Sequence, residues 1–162
     1  MRADILKLFN ILRGIAQGLN SYKTFNLFFE WFYPDYFPII TKIFNVYIQD
    51  DEVNLTIFKF LEEIVNNRCS RLRFETWNIN GLITYKETAK IVIDFLKFYD
   101  YLTKKPMKSD YYKEIVKYFK SILSIYVNCI TGNYINFAVC EYYQDDTFTK
   151  LSEAVFLMVV NQ

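Results

Sequence analysis

The feature that most constrains the fold of this chain is the spacing of its apolar residues. They recur at steps of three and four through almost the whole sequence, as in the stripe Ile5, Leu8, Phe9, Leu12, Ile15, Ala16 and Leu19. That spacing is typical of an amphipathic helix. Only 4 of the 162 residues are Gly and 3 are Pro, which is few for an all-β chain that must turn roughly every ten residues. The sequence therefore predicts an all-α fold.

Breaks in this spacing divide the chain into eight predicted helices. Their approximate bounds are 3–19, 22–32, 35–48, 51–72, 81–102, 110–130, 134–143 and 148–160. Ser21 is a candidate N-cap for the second helix. Pro34 ends that helix, because the residue before a proline is pushed out of the helical region. The acidic residues 50–52 suit the positive end of the fourth helix, and Gly132 ends the sixth.

The eight helices pair into four antiparallel hairpins with approximate bounds 3–33, 35–74, 79–131 and 134–161. Successive second helices are roughly 30 to 60 residues apart, which brackets the period of HEAT and armadillo repeats. Stacking would hide the apolar face that each hairpin leaves bare. An irregular helical globule explains the periodicity equally well, so both architectures stay open. The apolar end of the chain, VFLMVVNQ, has no capping polar face, as expected at the cut edge of a stack.

Composition and charge exclude several classes of protein. Hydrophobic residues make up 52% and the net charge is +1, which argues against disorder and against bulk attraction to nucleic acid or anionic membrane. No apolar run approaches the roughly 18 residues of a membrane span, and no signal peptide is recognisable, so we expect a soluble intracellular protein. The three cysteines, Cys69, Cys129 and Cys140, lie in helical patterns without CxxC spacing. Reduced, mostly buried thiols are therefore predicted.

The sequence offers no catalytic constellation. It contains no His, which removes the commonest general base and most zinc and iron sites. Gly81 and Gly132 are isolated, so no phosphate-binding loop is present. Adjacent carboxylates occur at positions 50–51, 62–63 and 145–146, where helix caps or solvated faces are the expected roles. We predict no catalytic, cofactor-binding or metal-binding residue, and we expect that the protein is not an enzyme.

The candidate partner contacts are basic side chains in two groups. They are Arg68, Arg71, Arg73, Lys113, Lys117 and Lys120. The favoured interpretation of the arginine group is structural: it compensates the dipole at the end of the long fourth helix and pairs with Glu75 or the neighbouring hairpin. The functional interpretation is a contact with an acidic partner. The lysines form a stripe on the sixth helix that could line a binding surface, although a solvated face is favoured.

Three segments carry a family resemblance. They are LRGIAQGLNSYKTFNLFFEWFYPDYFPI (12–39), NNRCSRLRFETWNINGLITYKETAK (66–90) and GNYINFAVCEYYQDD (132–146). The matching elements are Leu12–Ala16, Phe29–Trp31, Asn67-Arg68, Arg71-Leu72, Phe74, Asn80-Gly81, Glu87-Thr88, Gly132, Tyr134, Asn136-Phe137 and Asp145-Asp146. In this order and spacing, the sequence resembles the exportin-7 family, also called Ran-binding protein 16, of the importin-β superfamily of nuclear transport receptors.

The resemblance implies a HEAT-repeat α-solenoid that exports proteins from the nucleus with Ran-GTP, and an internal block of a longer receptor. The implied partners are the Ran GTPase (contacted chiefly through other repeats), protein cargo and nucleoporins, with no direct nucleic acid and no membrane insertion. The implied location is the nucleus and the cytoplasm, with shuttling through the nuclear pore, and no cofactor is implied. The alternative function is a HEAT-repeat scaffold of a non-transport complex with no Ran coupling.

Overall fold

The computed structural model describes residues 1–75, 78–103, 111–132, 134 and 144–160. In these residues the chain forms α1 (Arg2–Gly18), α2 (Tyr22–Phe32), α3 (Tyr36–Val46), α4 (Asp51–Val65), α5 (Asn80–Thr103), α6 (Tyr111–Thr131) and α7 (Thr147–Val160), with a short 3₁₀ helix, Arg68–Ser70, between α4 and α5. The all-α prediction is confirmed. Beyond Tyr134, the helix predicted over 134–143 lies outside the described residues.

Several helix boundaries follow from local chemistry, as predicted. The Oγ of Ser21 accepts a hydrogen bond from the backbone N–H of Thr24 at 3.3 Å and caps α2. The Asp50 carboxylate accepts from the N–H of Val53 at 3.2 Å and caps α4. Gly132 follows the last residue of α6 but does not adopt the positive φ of a glycine C-cap.

The fourth helix is shorter than predicted. The apolar stripe predicts a helix through Leu72, but α4 ends at Val65 and the chain then turns through the 3₁₀ helix. Cys69 and Ser70 have φ values of 53° and 52°, a region that residues with a Cβ rarely adopt. Leu72 still reaches the core, because this turn brings it back towards the other helices. The predicted helix boundary is therefore wrong, although the burial of Leu72 is not.

The cysteines have different environments. Cys129 is buried in α6 as predicted, and burial raises the pKa of its thiol, so that the thiol is protonated at neutral pH. Cys69 is exposed, which contradicts the prediction, because it lies in the turn after α4 and not on the helix stripe. Cys140 lies outside the described residues. Among the helices described, none is both long and apolar enough to cross a bilayer.

Helix α4 is the centre of the fold. It packs between α1 on one side and α6 on the other, and it also contacts α3 and α5. α5 in turn packs against α7, which also touches α6. Helices α1, α4 and α6 thus form one layer and α5 and α7 belong to a second. This two-layer arrangement is consistent with a helical-repeat solenoid. The four hairpin boundaries remain a prediction.

Aromatic rings join the two layers. Phe58 of α4 is fully buried and meets three rings nearly edge-on, at centroid distances between 5.0 and 6.0 Å: Phe44, Phe95 and Tyr118. Phe60, also on α4, lies 5.7 Å from a ring of α1 and 5.6 Å from a ring of α2. Tilted and edge-to-face pairs add about 0.5–1.5 kcal/mol each beyond the area that they bury. The apolar side chains of α4 therefore pack against several neighbouring helices at once.

Candidate interaction surface and the joint beside it

Residues 66–75 and 78–79 connect α4 to α5 and contact several helices; together with Asn80, the first residue of α5, they are called the joint below. The side chain of Asn67 donates to the carbonyl of Gly132, just after α6, at 3.0 Å. The side chain of Asn80 donates to the side chain of Asn26 on α2 at 2.9 Å. Tyr134 is buried, and its hydroxyl donates to the carbonyl of Val65, the last residue of α4, at 3.3 Å. The joint region thus brings together the ends of α4 and α6 and one face of α2.

Arg71 lies inside the joint and is completely buried. Its acceptors are the carbonyl oxygens of Ala16 at 2.7 Å, Leu19 at 3.0 Å and Asn66 at 2.9 Å, and the carbonyl and carboxylate oxygens of Glu63. Burial lowers the pKa of Arg71, an effect that the nearby Glu63 carboxylate opposes; an arginine nevertheless stays charged in proteins. Because this side chain has no exposed surface, a partner contact through Arg71 does not fit the structure.

The burial of Glu63 contradicts a second prediction. The sequence places it on the solvated face of the fourth helix, but the structure leaves it only 8% exposed. Its carboxylate accepts from both Arg68 and Arg71. These arginines come from the turn that follows α4, and a prediction of one continuous helix cannot bring them back beside Glu63. The signal available in the sequence was the presence of two arginines close after an apolar helix.

Arg68 and Arg73 keep part of their surface exposed. Arg68 donates to the carbonyl of Gln17 on α1 at 3.3 Å, besides its pair with Glu63. The guanidinium of Arg73 lies 4.9 Å from the ring centroid of Tyr22 and 3.4 Å from the Glu75 carboxylate. The pairing with Glu75 and with the neighbouring hairpin agrees with the structural interpretation. A contact with an acidic partner through these two arginines stays a prediction.

The polar side chains of α6 fall into two groups. Ser124 and Asn128 face α4, where both donate hydrogen bonds to Glu62. Lys117 and Lys120 are exposed, and the side chain of Lys113 lies outside the described part of the chain. Lys117 and Lys120 therefore belong to the solvent-exposed surface, whereas Ser124 and Asn128 belong to the packing between α4 and α6.

Apolar side chains share the exposed surface of α6 with the lysines. We call Val116, Lys117, Lys120, Leu123, Val127 and Ile130 the α6 face. Its four apolar members are between 39% and 52% exposed, and their spacing of three, four and seven residues places them along one side of the helix. Exposed apolar side chains that lie together and are rimmed by polar ones mark a protein–protein contact surface. The sequence predicts the lysines of this face, but it does not indicate that the apolar side chains between them are exposed.

Comparison with known proteins shows what the chain is similar to. No family model matches it, and no solved structure matches it. It is 32% identical over 161 residues to Exportin-7 of Dictyostelium discoideum, an alignment that covers 99% of this chain. It is 31% identical over 157 residues to Exportin-7-B of Xenopus laevis and 27% identical over 151 residues to Ran-binding protein 17 of Mus musculus, each alignment covering 93% of this chain.

The alignments cover only a small part of these relatives. The chain corresponds to 16% of the Dictyostelium protein and to 14% of the other two. The names of the relatives agree with the resemblance to nuclear transport receptors that the sequence motifs indicate. Along nearly its whole length, this chain is a homologue of one segment of the proteins named exportin-7 and Ran-binding protein.

Proposed function

We propose that this chain is a segment of a Ran-GTP-dependent nuclear export receptor that binds protein cargo through a curved helical-repeat surface. The observation that carries the proposal is the 32% identity to an exportin over 99% of the chain. Relatives named Ran-binding protein supply Ran as the regulatory partner. Since the chain spans 16% or less of these relatives, we assign the Ran contact chiefly to other repeats of a full-length receptor.

In this proposal the protein acts by shape and not by catalysis. The hairpins 3–33, 35–74, 79–131 and 134–161 stack so that each contacts only its neighbours, and small rotations between them change the curvature of the stack. A ligand that fits one curvature better shifts the population towards it. Ran-GTP and cargo would favour the same curvature, and each would therefore raise the affinity of the other by the same factor.

The α6 face is the proposed cargo contact within this segment. Lys117 and Lys120, with Lys113 one turn earlier, would meet acidic groups on the cargo, and Leu123 and Val127 would supply apolar area. The exposed parts of Arg68 and Arg73 form a second, smaller basic region. Nucleoporins complete the set of proposed partners, and the proposed location is the nucleus and the cytoplasm with passage through the pore. Direct nucleic-acid binding, membrane insertion and a cofactor form no part of the proposal.

A scaffold of a non-transport complex is the alternative function, and nucleotide dependence separates the two. The experiment measures binding of the full-length parent protein to Ran loaded with GTP or with GDP, with and without an export cargo. An export receptor should prefer Ran-GTP, and cargo should strengthen that binding by roughly 5–150-fold, the usual range of coupling between two sites. Equal binding of both nucleotide forms would support the scaffold.

A further inference from the structure

The C-terminal ends of α1 and α4 meet at one side chain. The last carbonyl groups of a helix have no partner within that helix. Nη1 of Arg71 donates to the carbonyls of Ala16 and Leu19 at the end of α1, at 2.7 and 3.0 Å. Nε of the same guanidinium donates to the carbonyl of Asn66, just after α4, at 2.9 Å. A single buried cation thus binds the ends of two helices that are far apart in sequence.

Arg71 is also surrounded by negative charge, so its contacts are electrostatic as well as hydrogen bonds. Each helix C-terminus carries a partial negative charge, and the nearly buried Glu63 carboxylate lies beside both ends. Without a cation, these negative groups would face one another in an interior of low dielectric constant, where repulsion is strong. Arg68 adds a second positive charge from the solvent side, where it binds Glu63 and the carbonyl of Gln17.

The shape of the guanidinium matches this arrangement. Arginine presents five N–H donors in one plane, and Arg71 forms five hydrogen bonds within the described residues, two of them to Glu63. The ring of Phe25 on α2 lies against the flat face, with the guanidinium carbon 4.8 Å from the ring centroid. Three helices therefore contact one rigid group. A lysine has three donors on a single atom and cannot reach the same acceptors.

We infer that Arg71 is a positioning residue that sets the pose of α1 and α2 on α4. Its guanidinium joins α1 and α2 to the end of α4. The angles that α1 and α2 make with α4 therefore depend on one planar group. The inference concerns the shape of this segment and stands whether or not the segment belongs to an export receptor. It also explains why a charged side chain is completely enclosed in a core that is otherwise largely apolar.

Distances between spin labels can test the inference in this chain. One label pair, at Ile11→Cys and Val127→Cys, reports the separation of α1 and α6, and a second pair, at Val127→Cys and Leu157→Cys, reports that of α6 and α7. The three native side chains are 51%, 52% and 55% exposed, so labels there should not disturb the core. Cys69→Ser removes an exposed thiol from the background, and Cys140→Ser removes a further cysteine.

The variants are Arg71→Met and Arg71→Lys, with Arg73→Met as the matched control in the same joint. Both Arg71 variants should shift or broaden the α1–α6 distance distribution by about 1–2 Å, the scale on which packed helices slide past one another. The α6–α7 distribution should not change. Arg73→Met removes a half-exposed arginine and should leave both distributions as they are. Circular dichroism establishes that each variant keeps its helix content.

Two outcomes would overturn the inference. In the first, folded Arg71 variants show the same α1–α6 distribution as the unmodified protein. In the second, both label pairs change to the same extent, which would mean that Arg71 stabilises the whole chain without setting one pose. If Arg71→Met does not fold, Arg71→Lys decides by the same criteria, because it keeps the charge and removes only the planar geometry.

Discussion

At the scale of single residues, Gly81 shows how closely the joint packs against α5. A Cβ at this position would stand 2.6 Å from the ring of Phe74 and 2.7 Å from the carbonyl oxygen of Arg73. Its backbone N–H donates to that same carbonyl at 2.9 Å. Since φ is not positive at Gly81, the position needs glycine for space and not for an unusual backbone conformation.

We therefore expect Gly81→Ala to lower the free energy of unfolding by about 1–3 kcal/mol, the usual cost of overpacking. Gly14→Ala is the matched control, because among the described residues no heavy atom lies within 4 Å of a Cβ built there. Gly14 lies inside α1, so this change should stabilise the protein by up to about 1 kcal/mol. Urea denaturation measures both effects. A Gly81→Ala protein as stable as the unmodified one would contradict the close approach.

At the scale of helices, Asp145 connects the start of α7 to α5. Its carboxylate accepts from the backbone N–H of Thr147 at 2.8 Å and lies 2.6 Å from the ammonium of Lys86. Burial by itself would raise the pKa of Asp145, but the ion pair with Lys86 and the hydrogen bond from Thr147 outweigh it and hold the pKa below its ordinary value. A carboxylate whose pKa is lower in the folded state stabilises the protein above its unfolded pKa, and this contribution is lost as the pH falls through the folded value.

Asp145→Asn should therefore destabilise the chain at pH 7 by about 1–2 kcal/mol, the scale of a lost charge-assisted hydrogen bond. The difference from the unmodified protein should shrink as the pH falls through the lowered pKa of folded Asp145, because its carboxylate then becomes protonated. Asn still caps helices well, so the change isolates the charge. Asp94→Asn, at a 56% exposed ion pair of α5, should cost less than about 0.5 kcal/mol. A loss of stability that stays constant as the pH falls through this acidic range, measured by thermal unfolding, would rule out this role.

At the scale of the whole molecule, α7 exposes a large apolar surface. The exposed fractions are 66% at Phe156, 55% at Leu157, 54% at Val159 and 60% at Val160. Contiguous exposed apolar area of this kind marks a site of association. In the proposed receptor a neighbouring hairpin would cover this surface.

We accordingly expect the 162-residue chain to self-associate as its concentration rises, and Leu157→Glu to shift the equilibrium towards the monomer. Val46→Glu is the control, because Val46 is 72% exposed and lies on α3, not on α7. Sedimentation velocity over a range of concentrations measures the change. A chain that stays monomeric at high concentration, or an equal effect of both variants, would contradict association through α7.

The sequence by itself determined the helical class of this protein, several of its helix starts and its similarity to nuclear transport receptors. Helical periodicity is a local signal, and caps such as Ser21 and Asp50 bond backbone groups only three residues away, so both can be read from neighbouring residues. The motifs at 12–39 and 66–90 likewise need no three-dimensional information.

Only the tertiary structure decided where α4 ends and what Arg71 does. Two carbonyl acceptors of Arg71 are distant in sequence: Ala16, on α1, is 55 positions away, and Leu19, just after α1, is 52 positions away. No local pattern indicates that they come within hydrogen-bonding distance of Arg71. The burial of Glu63 has the same reason. The helix pattern places this side chain in solvent, but Arg68 and Arg71 from the following turn lie against it. A buried charge is stable only where its partners converge, and that convergence is a property of the packed helices.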